Sequence, residues 1–152
     1  MNNDMIDAVR SYLVLLRSPP EAADERVGAL AEALDRLALA WHGAPPIDRD
    51  DVTDLADHTT YDEMRAIAAA AFPDFGFYSV VPPDENWQQQ AMVGDAIDDL
   101  ADIALEMERV EQLWEKALPA EADRQFRYWY GAHWGRHLHN LRSYIHARQF
   151  ER

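Results

Sequence analysis

The chain lacks cysteine, and lysine is nearly absent from it. Without cysteine there is no disulfide framework, no thiolate metal ligand and no thiol nucleophile. No apolar run approaches the ~20 residues that a membrane-spanning helix needs. The first residues, MNNDMID, carry no positive charge of the kind that begins a secretory signal. The sequence therefore predicts a soluble cytoplasmic protein of bacterial type.

Basic side chains are few and unevenly placed. Thirteen arginines and Lys116 stand against 28 acidic residues, so the net charge is −14. Residues 121–152 reverse this balance, because they contain six arginines and only three acidic residues. An acidic body disfavours nucleic-acid phosphates and anionic membranes as partners. We therefore expect no nucleic acid and no membrane partner, and the arginine-rich end to dock on the acidic body.

Proline pairs divide an otherwise helical pattern. With 152 residues and 48% apolar content, the chain suits a single domain spanning 1–152. Apolar side chains recur at three- and four-residue steps between the pairs, which is the spacing of amphipathic helices. Ser18 and Thr60 each precede a glutamate by three residues and predict two helix-capping boxes. The predicted helices span 4–17, 19–41, 61–72, 95–118 and 119–149, which makes an all-α bundle of about five helices.

Two segments carry no helical signal. Residues 44–59 form an acidic loop that lacks the glycine and the final glutamate of a calcium loop. Residues 74–90 are aromatic and irregular, and lie between the third and fourth predicted helices. We expect Phe75, Phe77, Tyr78 and Trp87 to lie across the bundle as a buried strap. Residues 78–81 suit a strand, but no second strand is evident to pair with it.

The last predicted helix has the densest aromatic and histidine content. His133 and His137 are four residues apart on its apolar side, and Asp98 and Asp102 are four apart on the preceding helix. The candidate polar cluster comprises Asp98, Asp99, Asp102, His133, Trp134, Arg136 and His137.

Three interpretations of this cluster are open. Two histidines facing two aspartates can hold zinc or iron in a helical bundle, and the same groups can serve acid/base catalysis. The third interpretation is a hydrogen-bond network that joins two helices, since buried polar groups need partners. No HExxH, Glu-x-x-His, phosphate-loop or nucleophile motif accompanies the cluster. We therefore predict a structural, metal-free pair, with no cofactor.

Gly131 and Gly135, in the same helix, predict a bend or a close approach of the fourth helix.

Three stretches resemble one known family. They are Asp98-Asp99-Leu100-Ala101-Asp102-Ile103, the aromatic run from Phe126 to Leu141 centred on His133-Trp134-Gly135, and Tyr78-Ser79-Val80-Val81-Pro82-Pro83. In this order and spacing they resemble the bacterial domain of unknown function 5063, over roughly residues 60–147. The resemblance implies a small, soluble, all-helical protein with no assigned activity.

The acidic surface and the missing catalytic motifs favour a protein-interaction module of adaptor or immunity-like type. Its partner would be another protein, and a homodimer is compatible with the pattern. The alternative is a metal-dependent or acid/base enzyme that uses the Asp/His cluster. An acidic mimic of nucleic acid ranks last, because it would need carboxylates spaced like phosphates along one face.

Overall fold

A computed structural model describes residues 3–42, 55, 57–84 and 86–151. The helices are α1 (Asn3–Arg17), α2 (Ala23–Trp41), α3 (Tyr61–Ala71), α4 (Ala96–Glu115), α5 (Pro119–Trp129) and α6 (Gly135–Phe150). The strands are β1 (Phe77–Val80) and β2 (Met92–Asp95), and a wide helical turn, Tyr130–Trp134, joins α5 to α6. Since α5, this turn and α6 form one continuous helical segment, the predicted all-α bundle of about five helices is confirmed.

Helix α4 is the centre of the bundle. It packs against α1, α3, α5 and α6, whereas α2 lies against α1 and α6. Its alanines and its Leu100, Ile103 and Met107 side chains are fully buried, as such a position requires. The buried Tyr12 hydroxyl of α1 donates to the Leu100 carbonyl over 2.8 Å and joins the two helices. The expectation that the fourth and last helices pack side by side is confirmed.

One of the two predicted capping boxes is wrong. Thr60 caps α3, because its side chain accepts from the amide of Glu63 at 3.2 Å. Ser18 does not cap α2, which begins only at Ala23 and has no side-chain cap. The amide of Ser18 instead donates to the Val14 carbonyl over 2.8 Å. Ser18 therefore completes the last turn of α1 and is not placed to begin a new helix.

The aromatic segment differs from the predicted strap. Phe75 is buried and Tyr78 half-buried, but Phe77 and Trp87 are 75% and 85% exposed. The segment also finds the partner strand that the sequence did not reveal: β1 pairs antiparallel with β2, with Tyr78 opposite Gly94. Alternation along β1 turns Phe77 outward and Tyr78 inward, which explains why only some of the aromatic side chains are covered.

Two further predicted helix boundaries differ from the structure, and one predicted loop lies mostly outside the described residues. Helix α4 ends at Glu115 instead of Leu118, because Ala117 adopts a left-handed conformation with φ of 59°. The helix predicted for 119–149 is interrupted by the wide turn at 130–134. Most of the predicted acidic loop falls within 43–54 and 56, outside the described residues. Among the helices of the described part, none is both long and apolar enough to span a bilayer.

Candidate functional site

Asp95 fixes the start of α4 and so sets the position of Asp99 and Asp102. The Asp95 carboxylate caps the helix by accepting from the amides of Ile97 and Asp98, at 3.0 and 3.3 Å. Arg65 of α3 donates to the other oxygen of Asp95 at 2.7 Å. With its start held in this way, α4 presents Asp99 and, almost one turn later, Asp102 toward α6.

His137 of α6 bridges these two carboxylates. Its Nδ1 lies 2.7 Å from Oδ1 of Asp99, and its Nε2 lies 3.3 Å from Oδ2 of Asp102. Asp99 is only 4% exposed, so it needs partners inside the protein. Tyr78 of β1 supplies another one, since its hydroxyl donates to Oδ2 of Asp99. The predicted contact between His137 and the aspartates of α4 is present.

His133 repeats the arrangement one turn away. Its Nδ1 lies 3.0 Å from Oε1 of Glu106, and its Nε2 lies 3.9 Å from the same Oδ2 of Asp102. Glu106 is 5% exposed and receives a further hydrogen bond of 2.9 Å from the buried Gln125 amide. Sequence reasoning missed Glu106. Glu106 lies about one turn after Asp102 on the same side of α4, which marks it as a neighbour of Asp102. Its pairing with His133 depends on the antiparallel register of α4 and α6.

The wide turn explains why both imidazoles are half-buried and not in the core. The amide of Gly135 donates to the carbonyl of Tyr130, five residues back, which adds one residue to that turn. One added residue rotates everything after it by roughly 100° relative to a regular helix. Trp134 and Leu138 thereby face the core, whereas His133 and His137 move to its edge.

The remaining members of the predicted cluster do not join these hydrogen bonds to the histidines. The Asp98 carboxylate accepts from the Tyr61 hydroxyl of α3. The Trp134 indole is completely buried and donates to the Phe126 carbonyl at 3.1 Å, which closes the wide turn from inside. Arg136 is exposed and lines a neighbouring cleft. The structure thus brings together Asp99, Asp102, His133 and His137, adds Glu106, keeps Asp98 at the edge of the centre beside Asp99 and His137, and leaves Trp134 and Arg136 outside.

Comparison with known proteins identifies the family but not an activity. The family model "Domain of unknown function (DUF5063)" matches residues 2–151, essentially the whole chain. The chain belongs to this family. No curated protein and no solved structure is detectably similar to it. The resemblance stated for residues 60–147 is therefore confirmed and extends over α1 and α2.

The charged groups in this centre shift one another's pKa values. Burial and the neighbouring Asp98 charge raise the pKa of Asp102, which the two histidines partly oppose. Burial lowers the pKa of His137, but the hydrogen bond and charge of Asp99 and the charge of Asp102 outweigh it, so the pKa is raised overall. Burial and the bond to Asp99 raise the pKa of the Tyr78 hydroxyl, which keeps it a donor.

Within the described part of the chain, two sets of three side chains bring ligand atoms within 4.8 Å of one another: Asp102 with His133 and His137, and Asp98 with Asp99 and His137. In the second set Asp99 already accepts from Tyr78 and from His137, and Asp98 accepts from Tyr61. The first set leaves the Asp102 oxygen and both Nε2 atoms directed at one another. The first set is therefore the better candidate to hold a cation, and the same atoms are also suited to exchanging a proton.

Proposed function

We propose that this chain is a metal-dependent enzyme whose divalent ion is held by Asp102, His133 and His137. The observation that carries this proposal is the direction of the two rings. Both Nε2 atoms face Oδ2 of Asp102, at 3.9 and 3.3 Å, while both Nδ1 atoms contact the buried carboxylates Glu106 and Asp99. Carboxylates that accept from the far nitrogen of a ligating histidine are the usual supporting partners in metal centres.

A cation resolves a conflict that the geometry creates. A buried carboxylate at each Nδ1 holds the proton there, so each Nε2 presents a lone pair toward an anionic oxygen. Either the rings take a second proton, which the raised pKa of His137 favours for that ring, or one cation lies between the three atoms. Two imidazolium ions would repel each other, because the ring centroids are 4.9 Å apart. One divalent ion satisfies both rings and Asp102 together.

The spacing of the ligand atoms also suits a metal. Metal–nitrogen bonds of about 2.0–2.1 Å place tetrahedral ligand atoms about 3.3 Å apart. Two histidines and one carboxylate are the ligand set of catalytic zinc sites and of non-haem iron(II) sites, which keep positions free for water or substrate. A closed structural site would need a fourth protein ligand. The half-buried position of both rings leaves the ion accessible from solvent.

Metal loading of tag-free protein tests the proposal. Protein stripped with chelator is titrated with Zn²⁺, Fe²⁺ under anaerobic conditions, and Mn²⁺, by calorimetry and elemental analysis. We expect one equivalent to bind and, at a free metal concentration of 100 Kd, a stabilisation of about 2.7 kcal/mol. For a chain of this size that gain raises Tm by about 5–10 °C.

Matched variants locate the ion. Asp102→Asn and His137→Ala should abolish stoichiometric binding. His146→Ala should not, because His146 lies on the exposed side of the same helix, 3.9 Å from Glu151. Wild-type protein that takes up no metal, or an Asp102→Asn variant that binds as the wild type does, would refute the proposal and support the metal-free pair predicted from the sequence.

A protein-interaction module, of adaptor or immunity-like type, is a second candidate that a different observation favours. Exposed apolar side chains cluster in and between the two strands: Phe77, Val81, Trp87, Met92 and Val93. Phe77, Trp87 and Val93 are each at least 75% exposed. Large exposed apolar side chains concentrated in one segment of this kind mark interaction surfaces in soluble proteins.

The test compares wild-type protein with a variant in which Phe77, Trp87 and Val93 are replaced by serine. Crosslinking in the native host should recover one stoichiometric partner with the wild type and none with the variant, whose circular dichroism should be unchanged. Sedimentation of the purified chain identifies a second copy as that partner. Equal recovery by both proteins, or no stoichiometric partner, counts against this candidate.

A further inference from the structure

A cleft of about 720 Å³ opens beside the Asp/His centre. The two strands and the segment after β1 form one wall, with the apolar side chains of Val80, Pro82 and Met92, and α6 forms another, with Arg136, His137 and Asn140. Four aspartates also line the cleft: Asp84, Asp95, Asp98 and Asp99. His137 belongs to both the cleft wall and the proposed metal centre. A small molecule in this cleft would therefore reach the centre through His137, since Asp102 and His133 do not line the cleft.

Arg136 is unusual for an arginine in so acidic a chain. Ten of the eleven arginines in the described ranges contact a carboxylate or a backbone carbonyl. Arg136 is the exception among them, although the chain carries 28 acidic residues. An arginine left without an acidic partner in a chain of net charge −14 is one that is free to receive an anion from outside.

The acidic groups next to Arg136 are mostly engaged elsewhere. Asp95 caps α4 and pairs with Arg65, Asp98 accepts from Tyr61, and Asp99 accepts from Tyr78 and His137. Only Asp84, in the connection between the strands, lines the cleft without a hydrogen bond or ion pair among the described residues. None of the first three forms an ion pair or a hydrogen bond with Arg136.

We propose that the cleft binds a small organic acid, with its carboxylate on Arg136 and its apolar body against Val80, Pro82 and Met92. The side-chain amide of Asn140, one turn after Arg136 on α6, lies on the same wall and supplies a second polar contact. The near end of such a molecule lies at His137. The assignment of this molecule as the substrate rests on the proposed function, whereas its binding to Arg136 does not.

A panel of small aryl- and alkyl-carboxylic acids, each matched with its neutral primary amide, tests the proposal. Binding is measured by ligand-observed NMR and then by calorimetry, with phenyl phosphate added to separate carboxylates from phosphates. We expect acids to bind and their amides not to. Arg136→Gln should weaken the acids by about ten- to a hundredfold, the range for losing a charge-assisted hydrogen-bonded pair.

Arg142→Gln is the matched control, because Arg142 lies on the same helix but pairs with Asp35 of α2 at 2.8 Å. It should leave the affinity for acids unchanged. Acids that bind no better than their amides, no binding by any acid, or an Arg136→Gln variant with wild-type affinity would overturn the proposal. A preference for phenyl phosphate over every acid would overturn the choice of a carboxylate.

Repeating the titrations with metal-free and metal-loaded protein keeps the two proposals separate. Acids that bind through Arg136 to a chain that takes up no metal would support the cleft and refute the metal centre. A chain that loads metal but binds no acid would support the metal centre and refute the cleft. If both proposals hold, loading with metal should tighten acid binding, because the ion adds positive charge beside the cleft.

Discussion

Replacing Gly135 with alanine perturbs the wide turn on which the position of both histidines depends. A Cβ at Gly135 would lie 2.4 Å from the carbonyl oxygen of Tyr130 and 3.1 Å from two atoms of its ring. The amide of Gly135 hydrogen-bonds to that same oxygen, so the oxygen is not free to move away. The crowding thus comes from within the turn. The expectation that the Gly131/Gly135 gap admits the fourth helix is wrong at Gly131, where a Cβ meets nothing within 4 Å, and at Gly135 the nearest atoms belong to Tyr130.

The magnitude follows from two opposing effects. Overpacking of this kind costs about 1–3 kcal/mol, and replacing a helical glycine returns about 0.5–1 kcal/mol of backbone entropy. We therefore expect Gly135→Ala to lower the free energy of unfolding by about 0.5–2 kcal/mol, net of both effects.

Gly131 is the matched control within the same turn. A Cβ there meets nothing within 4 Å, so Gly131→Ala keeps only the entropic gain. Thermal melts and urea titrations should place the two variants on opposite sides of the wild type, about 1–3 kcal/mol apart. A Gly135→Ala variant as stable as Gly131→Ala would show that the turn does not confine this position and so does not fix the position of the histidines.

Three further predictions concern the surroundings of the centre. Gly94→Ala should cost about 1–3 kcal/mol in a thermal melt, because its Cβ would lie 2.5 Å from the Tyr78 ring; Gly76→Ala, which meets nothing, should cost far less. Asp95→Ala should cost about 1–2 kcal/mol by removing the cap of α4, and Asp95→Asn much less because asparagine still caps; equal losses in urea titrations would disprove this. Tyr12→Phe should cost about 0.5–1.5 kcal/mol by removing its bond to Leu100, and unchanged unfolding would contradict that.

Helix positions and the Asp/His pairing were within reach of sequence reasoning, because both depend on local periodicity. Apolar spacing located the helices, and Thr60 and Asp95 marked two of their starts. The four-residue spacing of His133 and His137 placed them on one side of a helix wherever that helix packed. Their contact with the aspartates of α4 followed once those two helices were taken as neighbours.

Features that depend on long-range contacts were decided only in the tertiary structure. Strand β2 has little β signal of its own and exists because β1 lies beside it, with Gly94 leaving room for the Tyr78 ring. Glu106 could be recognised as a histidine partner only after the antiparallel register of α4 and α6 was known.

The wide turn at 130–134 also depends on tertiary contacts and not on the local sequence pattern. A regular helix through 119–149 satisfies the local pattern equally well, and it would place both histidines in the core. The observed turn instead buries Trp134, whose indole donates to the Phe126 carbonyl. Burial of one large aromatic side chain in the core therefore decides the rotation of α6, and with it which atoms of His133 and His137 face Asp102.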